Sequence, residues 1–172
     1  MSDKDYCVVG LSKEKFTKLF PMAHIRGKDF EVFDIEGTEF ALARKERKTG
    51  IGHKEFEIET GEQITIEEDL LRRDITINSM AKDVISGKII DPFGGEKDIQ
   101  NRVICATSEH FKEDPLRAYR VARFSAMLGF EVEEKTLEYM KSLKEELTSL
   151  SKERVFVEFR NALKTRKTIN IF

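Results

Sequence analysis

Residues 111–130 read FKEDPLRAYRVARFSAMLGF, and the parsing of this stretch sets the organisation of the chain. Asp114-Pro115 is a helix start, since aspartate is a favoured N-cap and proline is favoured at the first helical position. Arg117, Val121, Phe124 and Leu128 then fall at i, i+4, i+7 and i+11, which is one helix face. An arginine therefore heads an apolar stripe, and a guanidinium placed there needs a partner to offset its lost water. Arg120 and Arg123 drift around the same side. Further on, Leu137, Met140, Leu143, Leu147 and Leu150 keep helical spacing, and Val155, Phe156, Phe159 and Leu163 do so again after Ser151. The chain from about Thr107 onward is predicted to be helical.

Upstream the pattern changes. DYCVVG (5–10) reads as a short strand, SKEKFTKLF (12–20) as a helix, and FEVFDI and TEFALAR as two strands joined by a Glu36-Gly37 hairpin turn. The polar, glycine-bearing stretch from Lys45 to Gln63 reads as a mobile loop. Thr65 to Val84 is expected to be helical in two pieces, followed by a strand GKIIDPF and a turn GGEKD. The prediction is an α+β first half, residues 1–106, and an all-helical second half, residues 107–172.

Composition narrows the function classes. The 172 residues suffice for one domain or two small ones, and 40% hydrophobic content supports a core. A net charge of −2 means that any nucleic-acid contact must come from a local patch. No run of about 18 apolar residues and no signal-peptide pattern is present, which predicts no membrane partner. Cys7 and Cys105 lie far apart without a CxxC, and His24, His53 and His110 are scattered. That pattern fits a reduced, cytoplasmic protein and argues against a structural zinc site.

Three clusters could carry chemistry. Asp3 and Asp5 are two apart at a strand start, so both carboxylates share a face and suit a hard cation such as Mg²⁺. Taken alone, the same DxD also describes a solvated acidic terminus. Glu39, on a strand, is a candidate third acidic group near the metals, or simply an exposed strand residue. Arg73, Asp74 and Asn78 form the second cluster. On a helix, residues 74 and 78 share a face and could bond a ribose or order a loop; they also read as a surface ion-pair cluster. Asp114, Arg117, Arg120 and Arg123 form the third. Arginine forks bind phosphates bidentately, and Asp and Arg at i and i+3 can present acceptors and donors to a nucleobase edge. The plain alternative leaves Asp114 as a cap and the arginines as surface charges. Asp91 to Asp98 (DPFGGEKD) reads as a turn closing the sheet.

DKDYCVVG, TEFALARKERKTGIGH, EEDLLRRDITINSMA, GKIIDPFGGEKDIQNR and FKEDPLRAYRVARFSAMLGF, in this order, together resemble the bacterial-type (class II) tRNA nucleotidyltransferases. That family comprises CCA-adding enzymes and bacterial poly(A) polymerases. The resemblance implies a nucleotidyltransferase head with a mixed sheet, then a helical neck. It implies template-independent addition of C and A to tRNA 3′ ends from CTP and ATP with Mg²⁺. By resemblance, Asp3 and Asp5 are the catalytic, metal-binding DxD, and Arg73, Asp74 and Asn78 are the RRDxTxN element that contacts the incoming nucleotide. Asp114 and Arg117 match the pair that reads the base edge, and Arg120 and Arg123 match arginines that hold the nucleotide. The 45–63 loop matches one linked to switching from C to A addition.

The family's glycine-rich GGxVRD strand-turn, which precedes its DxD, does not occur in this sequence. Nor do its tRNA-gripping body and tail regions. Cys105 stands where close relatives often carry a basic residue. The expectation is an incomplete head-neck unit whose sheet has an open edge. The alternatives are a poly(A) polymerase and a non-catalytic nucleotide- or RNA-binding remnant. The oligomeric state is not legible.

Overall fold

The computed structural model describes residues 4–27, 31–48 and 56–164. The chain forms two compact units, Met1–Asp69 and Leu70–Phe172.

The first unit is built on a four-stranded sheet. Strand β1 (Asp5–Val8) lies at one edge, followed by β4 (Thr38–Leu42), β3 (Val32–Ile35) and β2 (His24–Arg26) at the other. β1 runs parallel to β4, with Asp5 opposite Glu39, and the other pairings are antiparallel. The expected Glu36-Gly37 turn joins β3 to β4, with φ of 51° and 81° at the two residues. Both centres of a type I′ hairpin turn require positive φ, which explains the glycine. The Asp34 carboxylate accepts from Gly37 N at 3.1 Å and steadies this turn.

Helix α1 (Lys13–Leu19) begins at Ser12, whose hydroxyl accepts from Lys15 N, and covers one sheet face. Phe16, Phe33 and Leu42 are buried there, with Val8, Leu11, Ile35 and Phe40 packed around them. Strand alternation sends Tyr6 and Val8 to this face, and Asp5 and Cys7 to the other.

The stretch expected as a mobile loop is instead, over its described residues, an antiparallel ribbon. β5 (Arg44–Lys48) pairs with β6 (Phe56–Thr60) in a register that sets Lys45 opposite Glu59. FEIET carries the period-2 signal of a strand, which the surrounding charge and glycine masked. Residues 49–55 of the expected loop lie outside the described residues.

Helix α2 (Ile66–Leu71) starts with a reciprocal capping box. Thr65 N donates to the Glu68 carboxylate at 3.1 Å, and Glu68 N donates to the Thr65 hydroxyl at 3.2 Å. The Thr65 backbone bond holds the Glu68 carboxyl below its ordinary pKa.

The second helical piece expected before Val84 does not form. After Leu71 the chain makes a turn, an isolated bridge from Ile75 to Ala106, and a single 3-10 turn over Thr76–Asn78. Thr76, Asn78 and Ser79 favour local side-chain bonds over helix continuation, and the Ser79 hydroxyl is spent on Ile75 O at 2.9 Å. β7 (Ala81–Lys82) and β8 (Ile89–Ile90) then form a hairpin.

The GGEKD turn is the start of a helix, α3 (Gly95–Asn101), because both Asp91 carboxylate oxygens cap its first amides, Gly95 N at 2.8 Å and Glu96 N at 2.9 Å.

β9 (Val103–Ile104) pairs in parallel with β10 (Glu131–Val132), a two-residue strand within the otherwise helical second half. Helices α4 (Leu116–Leu128), α5 (Glu134–Ser142) and α6 (Lys152–Leu163) supply the rest. Ile75, Ile104, Phe111, Val121 and Leu143 form the buried core of this unit. Gly129 ends α4 at φ 68°, a left-handed C-cap.

Two apolar series depart from expectation. Leu137 is exposed and α5 ends at Ser142, so Leu147 lies in a separate 3-10 turn. On α6 the buried residues are Glu158 and Ala162, while Phe156 is 61% exposed and Phe159 and Leu163 are also exposed. The buried Glu158 makes an ion pair with Arg123 on α4.

Candidate functional site

Each unit carries a separate cluster. In the first, sheet register places Asp5, Glu39 and Asp34 in one row, on the face opposite α1. Asp5 and Glu39 are exposed. Asp34 is buried and spent on Gly37 N and on Arg26 at 3.0 Å. Asp3 lies outside the described residues. Among the described residues no group of three or more His, Cys, Asp or Glu side chains could hold a metal ion. The chemistry of the Asp5–Glu39 pair still fits a hard divalent cation, because both groups are exposed carboxylates at adjacent register.

The second cluster is denser. Its platform is the turn 72–79, zipped by Thr76 N to Cys105 O (3.0 Å) and Thr107 N to Asp74 O (3.1 Å). Asp74 and Asn78 do come together, through this turn and not along an α-helix: Asn78 Nδ2 donates to Asp74 Oδ1 at 3.4 Å. Arg73 Nη1 donates to Asn78 O at 3.3 Å. Asp74 is buried, and its other oxygen accepts from Arg120 Nε at 2.7 Å. Burial pulls the Arg120 guanidinium down, but the charge and hydrogen bond of Asp74, with Glu158 and Asp114 nearby, hold it above its ordinary pKa.

At the start of α4, Asp114 does the capping that its position suggests: Oδ1 accepts from Leu116 N at 3.0 Å. Its other oxygen accepts from Arg154 Nη2 on α6 at 2.9 Å. Arg117 sits one turn on, and its two terminal nitrogens donate to the carbonyls of His110 and Arg72, each at 2.7 Å. Arg123 lies on the α6 side, where Nε meets the Glu158 carboxylate at 2.6 Å and the guanidinium stands 4.1 Å from the Phe124 ring centroid.

Arg73, Asp74, Asn78, Arg117 and Arg120 thus share the surface where the turn meets α4. Asp114 and Arg123 are tied to α6. Arg154 and Glu158 escaped the sequence reading. Glu158 carried a usable signal, a carboxylate inside the otherwise apolar run Val155-Phe156-Val157-Glu158-Phe159. Arg154 carried none, since only folding brings it to Asp114.

Fold and clusters together define a nucleotidyltransferase head followed by a helical neck. The chain belongs to the family of the Poly A polymerase head domain, which matches residues 4–105. Residues 129–172 match a second family, described as a probable RNA and SrmB-binding site of polymerase A. The CCA-adding enzyme of Alteromonas mediterranea is 45% identical over 99% of this chain and 44% of its own length. The multifunctional CCA protein of Pseudoalteromonas atlantica is 47% identical over 95% of this chain and 41% of its own. Among solved structures, the Bacillus stearothermophilus CCA-adding enzyme in complex with CTP aligns with a TM-score of 0.79 at 28% identity, covering 99% of this chain and 42% of that one. A tRNA nucleotidyltransferase complexed with a primer tRNA and an incoming ATP analog aligns at 0.70, also 28% identical, covering 97% and 49%. The chain therefore spans less than half the length of these relatives.

Proposed function

We propose that this chain is the head and neck portion of a template-independent RNA nucleotidyltransferase that adds C and A to tRNA 3′ ends from CTP and ATP. The functional division falls near residue 106, with a head over 1–106 and a nucleotide-selecting neck over 107–172. The observation that carries the reading is the cationic surface of α4. Arg117 and Arg120 stand one turn apart, beside the Asp74–Asn78 turn and next to Asp114 at the helix start. Relatives of this chain were crystallised with CTP and with an ATP analog, which supports the assignment.

The roles follow from donor and acceptor chemistry. Arg117 and Asp114, placed together at the start of α4, contribute donors and an acceptor for the base edge. The wrong base leaves those groups unpaired in a desolvated site, which is how a protein rejects U and G without a nucleic-acid template. Arg120 provides a phosphate-binding cation, Arg123 lies further along α4 in its pair with Glu158, and Arg73, Asp74 and Asn78 hold the ribose and its surroundings. Asp3 and Asp5, with Glu39 beside Asp5, would hold Mg²⁺. When bound, that ion supplies charge neutralisation at the reacting phosphate and activation of the attacking RNA hydroxyl. The chain's own task is to position the triphosphate and the RNA end, the larger part of such catalysis.

No helix among the described residues is long and apolar enough to cross a membrane. The likeness to CCA-adding enzymes supports action in the cytoplasm.

Calorimetry of the chain with Mg²⁺ and each of CTP, ATP, GTP and UTP tests the proposal. Selective binding of CTP and ATP is expected, and equal affinity for all four overturns the base-reading roles. A poly(A) polymerase is the second reading, because the matched head model carries that description. Binding of ATP without CTP would select it.

A further inference from the structure

We propose that Asp98 on α3 is a positioning residue for nucleotide binding, acting through Thr76 on the turn that carries Asp74 and Asn78. The proposal rests on the nucleotide reading of that turn.

The DPFGGEKD stretch, Asp91 to Asp98, has no part in the proposed chemistry. Its structure explains why those residues stand there. Asp91 closes the N-terminus of α3 with both oxygens. Gly95 lets α3 lie directly on the turn, since a Cβ there would fall 2.5 Å from Thr76 O and 2.8 Å from Met80 Sδ. Asp98, one helical turn on, accepts a 2.6 Å hydrogen bond from the Thr76 hydroxyl. Helix start, close approach and polar tie therefore converge on one residue.

Thr76 is buried, and each of its polar groups is placed. Its N–H donates to Cys105 O, its hydroxyl donates to Asp98, and its carbonyl abuts Gly95 while accepting from Ser79 N at 2.9 Å. The residues that follow inherit this placement. Asn78 closes the same 3-10 turn, and its side chain reaches back to Asp74. Ser79 is locked in its turn by a 2.6 Å contact between its hydroxyl and that of Thr107. A neutral acceptor would satisfy a threonine hydroxyl. A carboxylate makes a shorter, charge-assisted bond roughly twice as strong as a neutral one. Without it, Thr76 keeps a buried donor unpaired, and the turn shifts to rehydrate it. The functional side chains of the turn need placement to within about 0.5 Å to act together.

The test uses the full chain with Asp98→Ala, Asp98→Asn, Thr76→Val and the Asp98→Ala/Thr76→Val double variant. Amide hydrogen exchange at Asn78 and Ser79 is measured without nucleotide, and binding of Mg²⁺-CTP is measured by calorimetry. Asp98→Ala and Thr76→Val are each expected to speed exchange at both amides, and to weaken CTP, by about tenfold, as the loss of one charge-assisted bond implies. The double variant should be no worse than either single variant. Asp98→Asn, which keeps an acceptor oxygen at the same place, should stay within about threefold of the wild type in both readouts, a split that a bulk loss of stability does not produce. Unchanged exchange in Asp98→Ala overturns the proposal, as does Asp98→Asn behaving like the alanine variant. A loss in Asp98→Ala that Thr76→Val does not share also overturns it. If the wild-type chain binds no nucleotide, the proposed function fails, and the exchange measurement alone decides whether Asp98 places the turn.

Discussion

Arg123 on α4 and Glu158 on α6 meet at 2.6 Å with their side chains only 14% and 10% exposed. Glu158 is buried on α6, while Phe156 and Phe159 on the same helix are exposed. Breaking a buried pair by removing one partner strands a charge. Glu158→Ala is therefore expected to cost about 3 kcal/mol, read from chemical denaturation. Replacing both partners with leucine and methionine should recover most of that loss. A loss under about 0.5 kcal/mol for the single variant would show that solvent reaches the pair freely.

Asp114 and Arg154 form a more exposed pair at 2.9 Å. Arg154→Ala should cost about 0.5 kcal/mol of stability or less. Its effect belongs in selectivity, because Asp114 loses one of the groups that orient it. The preference for CTP and ATP over GTP and UTP should fall while the midpoint of thermal unfolding stays nearly constant. A drop in affinity shared equally by all four nucleotides would contradict that role.

Arg120→Ala removes the 2.7 Å partner of a buried Asp74. A destabilisation of about 2–3 kcal/mol is expected, with weaker binding of every nucleotide alike. Adding Asp74→Asn should restore stability and not binding. Recovery of both would mean that Arg120 serves the fold alone.

Burial first, then the charges of Asp98 and Glu133, push the Cys105 thiol up to about 12. The unfolded chain ionises this thiol near pH 8.5. Above that pH the unfolded state binds fewer protons than the folded one, so stability from the neutral thiol is present below pH 8.5 and is lost as pH rises toward about 12. Thermal melts of the wild type and Cys105→Ala across this window should show their difference shrinking with pH. A constant difference would place the thiol in an ordinary environment. Iodoacetamide at pH 8 should modify Cys105 far more slowly than a free thiol.

Asp5 is exposed at the head of β1. Asp5→Ala should leave the unfolding midpoint within about 1 °C, since surface changes cost little, and abolish Mg²⁺-dependent nucleotide transfer by a full-length enzyme carrying it. Transfer that persists would move the metal site elsewhere.

Local chemistry is what the sequence alone determined. The Ser12 cap, the Glu36-Gly37 turn and the Asp114 cap each act within a few residues, and each stands where its residue type predicted. The residue types of the candidate clusters were legible for the same reason, as motifs of short span. What each side chain touches was decided only by tertiary structure. Asp74 and Asn78 meet through a turn zipped to residues 105–107, because the Ile75–Ala106 bridge outcompetes the helix that local pattern favoured. Asp114 and Arg123 are claimed by Arg154 and Glu158, and Thr76 by Asp98. Those partners lie 22 to 40 positions away along the chain. Spacing within one helix carries no information about them, because a buried charge or hydroxyl accepts whichever complementary group the packing of other elements delivers.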